Sequence, residues 1–290
     1  MPVGTPLILS IESRAVVLSR PDGRGGEIDR EPCIDRDDAA ADDAWAAAFS
    51  ALARRAQRGA RVGLLVPAHR VLARHLPAPA TAGAARDRAI AFEAGRVLPV
   101  PLEDLVWDHV EAGGASDVLV LAARAARIES LCAAAESAGF SVTAAWPAPL
   151  ATLAALRADP GPPGRAVLAV VPGDRVHEIV LLDGERIALR VAAAEPASDP
   201  AARATQVVAE AARTLRHFRA SAPPAEIRLA GIADPDFPSW RAAWEARLGA
   251  PVRSVHPGEE GAAAMRRAGA ALLAGGPAAR RADLLPPARR

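Results

Sequence analysis

Residues 159–165 read DPGPPGR. Proline has no N–H and a fixed φ, and glycine loses the most backbone entropy on ordering, so this run supports neither a helix nor a ladder strand. It is a linker from Asp159 to Arg165, and the residues after it repeat the pattern that opens the chain. Beyond the linker lie the apolar run Ala166 to Val171, the turn Gly173-Asp174, a second run Val176 to Leu182, the hairpin signal Asp183-Gly184 and a third run Ile187 to Ala192. At the start of the chain, Leu7 to Ile11 and Ala15 to Ser19 form a hairpin, and Pro21 to Gly26 reads as a loop.

Both openings then give way to alternating helix and strand. In the first half a helical stripe of Trp45, Phe49, Leu52 and Ala56 precedes the strand Val62 to Val66. The acidic run Asp35 to Asp43 before it suits a helix start and its dipole. Prolines 77, 79, 99 and 101 bracket a helix near Ala84 to Leu98. Val118 to Ala123 is a strand, Ile128, Leu131, Cys132 and Ala135 mark a helix ending near Gly139, Ser141 to Ala145 is a strand, and Pro149 begins a helix to Leu156. In the second half, a helix from about Ala201 to Arg219 is followed by strand Ile227 to Ala230, helix Ser239 to Leu248, strand Val252 to Val255 and helix Gly261 to Leu273. The duplicated pattern predicts an α/β fold of two lobes with a cleft between them, as in the superfold of actin, hexokinase and Hsp70.

Composition narrows the chemistry. The 290 residues carry 35 basic and 34 acidic side chains, a net charge of +1, so no general nucleic-acid or anionic-membrane surface is indicated. Every basic residue is Arg. With no Lys there is no P-loop lysine, no Schiff-base lysine and no protein-kinase lysine. Cys33 and Cys132 form no zinc pattern, and the six histidines give no HExxH. Trp240 and Trp244, four apart, read as core packing, and Arg54-Arg55 and Arg266-Arg267 as solvated helix-surface charges. Glu12 and Arg14 interrupt the first apolar stretch, which excludes a signal peptide, and no run approaches the roughly 20 apolar residues of a membrane span.

The order VPAHRVLARHLP (66–77), FEAGRVLPVPLEDLVWDH (92–109), Val118 to Ala123, Ala138-Gly139-Phe140 and Pro147 to Ala151 resembles PilM, the actin-like type IV pilus assembly protein, and the cytoplasmic domain of the type II secretion protein GspL. Arg190, Glu210, Arg213, Phe218, Leu229 to Gly231 and Leu248 to Val252 continue the resemblance, which spans about residues 5 to 275. It implies a first lobe over 1–158 with an inserted α+β subdomain at about 66–111, a linker at 159–165, a second lobe over 166–275 and a Pro/Arg-rich tail at 276–290. It also implies a cytoplasmic protein held at the inner membrane through partners: PilN/PilO-like or GspL/GspM-like membrane proteins and the assembly-ATPase platform.

The family's nucleotide motifs are altered. The first phosphate loop resembles D-x-G, and here the matching stretch is Ser10-Ile11-Glu12-Ser13-Arg14. Ser10 replaces the acidic residue that organises Mg²⁺, and Glu12 sets a carboxylate where a phosphate would come. In the second loop, Val171-Pro172-Gly173-Asp174-Arg175, Pro172 removes a backbone donor and the acidic residue is displaced. Of the adenosine Gly-Gly pair only Gly231 is present. The cleft residues Ser10, Glu12, Ser13, Gly173, Asp174, Arg175 and Gly231 are therefore read as a degenerate nucleotide site. No cofactor is expected, with ATP and Mg²⁺ kept open through a shifted register of Asp174 and Arg175.

The expectation is a non-enzymatic scaffold. The alternative is an ATPase or small-molecule kinase of the same superfold, and a polymer-forming cytoskeletal role is the third reading. Pro277 to Arg290 holds Asp283-Leu284-Leu285-Pro286, which resembles the Asn-Leu-Leu-Pro peptide by which PilN-type partners bind PilM. Leu284 and Leu285 are expected to dock beside the inserted subdomain, on the same chain or a neighbouring copy, with nearby arginines meeting Glu103, Asp104 or Asp108.

Overall fold

The computed structural model describes residues 5–12, 14–21, 26–33, 40–57, 59–113, 117–159, 161–162, 164–196, 199–218, 223–255, 260–275 and 283–287. The apolar runs of the sequence become its central strands. In the first half β1 (Leu7–Ile11), β2 (Ala15–Ser19) and β3 (Glu27–Pro32) form an antiparallel meander. After α1 (Ala40–Arg55), β4 (Arg61–Val66) lies parallel to β1. The next strands are β5 (Leu72–Pro77), β6 (Leu105–Gly113) and β7 (Asp117–Arg124), with α2 (Gly83–Val97) between β5 and β6. Helix α3 (Ala125–Ser137), strand β8 (Ser141–Pro147) and helix α4 (Ala148–Ala158) complete this half. The first sheet runs β3-β2-β1-β4-β8, with β8 parallel to β4 at its edge.

The second half is built the same way. Strands β9 (Val167–Val171), β10 (Val176–Asp183) and β11 (Arg186–Ala193) form the meander. Helix α5 (Pro200–His217) leads to β12 (Glu226–Ala230), and α6 (Phe237–Leu248) leads to β13 (Val252–Val255) and α7 (Gly261–Gly275). The second sheet runs β11-β10-β9-β12-β13, the same order as the first, with β12 parallel to β9 and to β13. Asp199 accepts a hydrogen bond from Ala202 N at 2.7 Å, and Pro200 is the next residue, so α5 starts with a capped first turn. The duplication expected on either side of the linker is thus present as two sheets of one topology.

The third sheet differs from expectation. It has three strands in the order β5-β7-β6, all antiparallel, and β7 is its centre. This unit therefore extends to Arg124 and does not stop near Glu111. Val118, Val120 and Ala122 of β7 pack with Ile90 and Ala94 of α2, while Leu119, Leu121 and Ala123 face the main core, as period-two alternation requires. Strands β3 and β6 are additions to the expected elements. Residues 22–25 of the loop expected before Gly26 lie outside the described residues; β3 follows, and its residues are half-buried or exposed because the strand lies at a sheet edge.

The halves meet through α4 and α7. A Cβ built on Gly269 would lie 1.8 Å from the Ala151 carbonyl oxygen, so only glycine allows this crossing. The linker is fixed at its start: buried Arg228 of β12 donates to the Asp159 carbonyl, and Arg253 of β13 pairs with the Asp159 carboxylate at 3.0 Å. Pro160 and Pro163 lie outside the described residues. Trp240 and Trp244 pack inside the second half, as expected.

His75 joins the third sheet to the second. Its Nε2 accepts the Leu189 N–H at 3.0 Å, and its ring packs edge-on to Phe218 at 4.7 Å. Burial pushes its pKa down to about 4, against the smaller opposing influence of the Leu189 carbonyl 3.2 Å away. Below pH 6.5 the unfolded chain takes up a proton that folded His75 refuses, so this contribution to stability is lost as pH falls from about 6.5 to about 4. Urea unfolding at pH 7 and at about pH 4.5 should show a larger loss in the wild type than in His75→Leu, the difference being on the order of 2–3 kcal/mol.

Candidate functional site

Two places carry the expected site residues: the cleft where the β1–β2 and β9–β10 turns face each other, and the groove between β8 and the third sheet. In the cleft, Ser10, Glu12, Gly173 and Arg175 line a common cavity of about 80 Å³ with Pro67, His69 and Arg266. Ligand pockets for small molecules occupy roughly 300–1,000 Å³, so this one is several-fold smaller. The other expected residues are not part of it. Asp174 is exposed and pairs with Arg203 at 3.1 Å. Gly231 has φ +75°, and a Cβ there would sit 2.8 Å from the Ala262 Cβ, so it serves the approach of α7. Ser13 lies outside the described residues.

The charges in the cleft come from α7. Arg267 is 5% exposed and forms an ion pair with Glu12. Arg266 donates through Nε to Glu178 Oε1 at 2.8 Å. Glu178 is fully buried on β10, and its other oxygen accepts from Thr152 Oγ1 of α4 at 2.6 Å. Arg30 of β3 extends the network, pairing with Glu27 at 2.9 Å and Glu260 at 2.8 Å and standing 4.0 Å from Glu12. Burial raises the Glu12 pKa above the usual carboxylate value, against the opposing pull of Arg267 and Arg30. The expectation that Arg266 and Arg267 are solvated surface charges is therefore wrong. The signal that could have found them was Glu178 within the otherwise apolar VHEIVLL and Glu12 between two apolar strands, since buried carboxylates require partners.

The groove lies along the outer edge of β8. Residues 283–287 run beside it. Leu284 N donates to the Ala145 carbonyl at 2.8 Å, and the Asp283 carboxylate accepts from Ala145 N at 2.8 Å and from Leu285 N at 3.0 Å. Across the groove, Asp283 N donates to Asp108 Oδ2 of β6 at 3.2 Å. Leu284 is 0% and Leu285 2% exposed, both within the main core. The structure thus brings Asp108, Leu284 and Leu285 together on one chain. Asp108 meets a backbone N–H here; Arg280, Arg281, Arg289 and Arg290 lie outside the described residues. Glu103 and Asp104 stand exposed on the turn before β6, and the segment is held by Ala145 and Asp108 instead.

Two five-stranded sheets of one topology, facing across a cleft, with a small sheet inserted in the first, define an actin-like fold. Solved structures agree. The chain is similar to one in the PilM-PilN type IV pilus biogenesis complex, with a TM-score of 0.73 and 20% identity over 95% of this chain and 100% of that one. It is also similar to a Bacteroides thetaiotaomicron protein with an actin-like ATPase fold, with a TM-score of 0.58 and 8% identity over 90% and 95% of the two chains. The third is the cytoplasmic domain of EpsL, an inner-membrane component of the Vibrio cholerae type II secretion system, with a TM-score of 0.50 and 13% identity over 77% and 80%. No family model and no curated protein matches the chain.

Removing Arg267 alone should leave Glu12 buried without its nearest countercharge. Arg267→Met is expected to destabilise the protein by about 3–5 kcal/mol in urea unfolding, and Glu12→Gln combined with Arg267→Met should recover most of the loss. Because the folded-state pKa of Glu12 is raised, folding takes up a proton there, and Arg267→Met should regain stability as pH falls through that pKa. Equal losses in the single and double variants would mean that the pair is not coupled.

Proposed function

We propose that the chain is a non-enzymatic, PilM-like scaffold in the cytoplasmic part of a type IV pilus or type II secretion inner-membrane platform, and that its groove docks a peptide of a single-span membrane partner of the PilN/PilO or GspL/GspM kind. The observation that carries this reading is the groove itself: the β8 edge and Asp108 hold an Asp-Leu-Leu-Pro segment by backbone pairing and two buried leucines. Strand addition at a sheet edge supplies affinity through main-chain hydrogen bonds and specificity through side-chain pockets. Each buried leucine contributes about 1.5–3 kcal/mol. Among the described residues no helix is long and apolar enough to cross a membrane, so in this reading the membrane is reached through the partner.

In the same reading the cleft works without nucleotide. Arg267 and Arg266 answer Glu12 and Glu178, and the remaining space is small. Calorimetry with MgATP should give no binding heat at tens of micromolar protein. Sustained ATP turnover by the purified chain, lost in Gly173→Val, would replace the scaffold reading with the ATPase or kinase alternative.

The groove is tested with the cytoplasmic N-terminal peptide of the candidate membrane partner, labelled for fluorescence anisotropy. Saturable binding is expected, and Ala145→Pro should weaken it at least tenfold. The Ala145 N–H points out of the sheet toward the groove, so proline removes the contact without breaking the β4–β8 ladder. If the peptide binds neither the wild type nor Leu284→Ser/Leu285→Ser, the docking function is refuted.

A further inference from the structure

At the edge of β8 the first sheet borrows a strand-like segment from far along the sequence. Ala145 and Leu284 are joined by a backbone–backbone bond, and the second rung is made by the Asp283 carboxylate in place of a carbonyl. The neighbouring pairing of β8 with β4 runs over six register positions. Pro286 and Pro287 have no N–H to continue the ladder, so the segment cannot grow into a full strand. Its hold on the protein is therefore the buried side chains of Leu284, Leu285 and Pro286 and a short set of hydrogen bonds, at an edge any extended peptide of the same chemistry could use. The segment comes after α7, which Gly269 and Arg267 fix against α4 and Glu12, with residues 276–282 between.

We propose that residues 283–287 are a displaceable resident of the groove, so that a partner peptide with an acidic residue and two leucines binds by competing with the chain's own segment. The proposal rests on the reading of the groove as a peptide dock. Only seven residues separate the segment from α7, so it competes as an intramolecular ligand, and an outside peptide is weakened by the ratio of the segment's effective concentration to its own dissociation constant for the groove. Occupancy in cis keeps Leu284 and Leu285 from water when no partner is present. A partner must then either exceed the resident's affinity or be tethered itself, as a membrane protein held beside the groove would be.

The test uses a labelled synthetic peptide with the sequence of residues 281–290, added to the full chain. Leu284→Ser/Leu285→Ser empties the groove and should bind the peptide at least tenfold more tightly than the wild type, with Asp283→Ala in between. Equal affinities of wild type and double variant would overturn the proposal while leaving the dock intact. Binding to neither form would overturn the dock reading itself. A wild-type dimer in light scattering that becomes monomeric in the double variant would show that the segment fills a neighbouring copy, and would overturn occupancy in cis. Should the double variant fail to fold, hydrogen exchange on the wild type decides: saturating peptide should deprotect the chain's own Leu284 amide, and unchanged protection would overturn displacement.

Discussion

The arrangement of the molecule depends on where α7 is held. That helix belongs to the second half of the sequence, yet its arginines are answered on both sides of the cleft. Arg267 meets Glu12 on the turn after β1, and Arg266 meets Glu178 on β10. Taking four charges out of water is costly, and an apolar seam would bind the halves as strongly. The ion pairs supply position. A buried guanidinium paired with a carboxylate on another element fixes the rotation and height of its helix, and the close crossing at Gly269 and Ala151 leaves little freedom to compensate. Thr152 on α4 completes Glu178, so the same network also fixes α4.

With α4 and α7 fixed, the sheets have their places. Strand β8 runs directly into α4, which places its outer edge beside the third sheet, and β6 presents Asp108 across the gap. On the opposite edge of the third sheet, His75 on β5 fastens it to Leu189 of β11. The third sheet is thus tied to the second half along β5, β6 approaches Arg186 of β11 at Gly113, and Asp108 of β6 meets the segment beside β8. A neutral imidazole suits the first task, because it accepts the Leu189 N–H without bringing a charge into a buried seam.

Much of this was legible in the sequence. Repeated apolar runs around DPGPPGR marked the first hairpin, the second meander and the crossover helices, because a buried strand must be apolar wherever it lies. Strands β3 and β6 were not legible for the converse reason. GEIDREP and LVWDHVEAG sit at sheet edges, where half-buried polar residues carry no strong pattern, and edge pairing is set by neighbours distant in sequence. The domain boundary near Glu111 was misplaced because β7 is apolar on both faces. An apolar run does not reveal that one face covers α2 and the other the main core.

The site was legible unevenly, and the difference is physical. Ser10, Glu12, Gly173 and Arg175, singled out from local loop motifs, line one cavity because a few consecutive residues set the backbone of each turn. Arg266 and Arg267 were missed because their partners lie 88 and 255 positions away, and nothing in AMRRAG separates a buried arginine from a solvated one. Leu284 and Leu285 were singled out by their chemistry, yet their seat beside Ala145 depends on a sheet edge assembled elsewhere. The cleft and the groove therefore share one cause. The residues that answer Glu12 and the residues that fill the β8 edge both come after β13 in the chain. The helix that neutralises the cleft precedes the segment beside β8 by seven residues, so one short stretch of sequence after β13 supplies both.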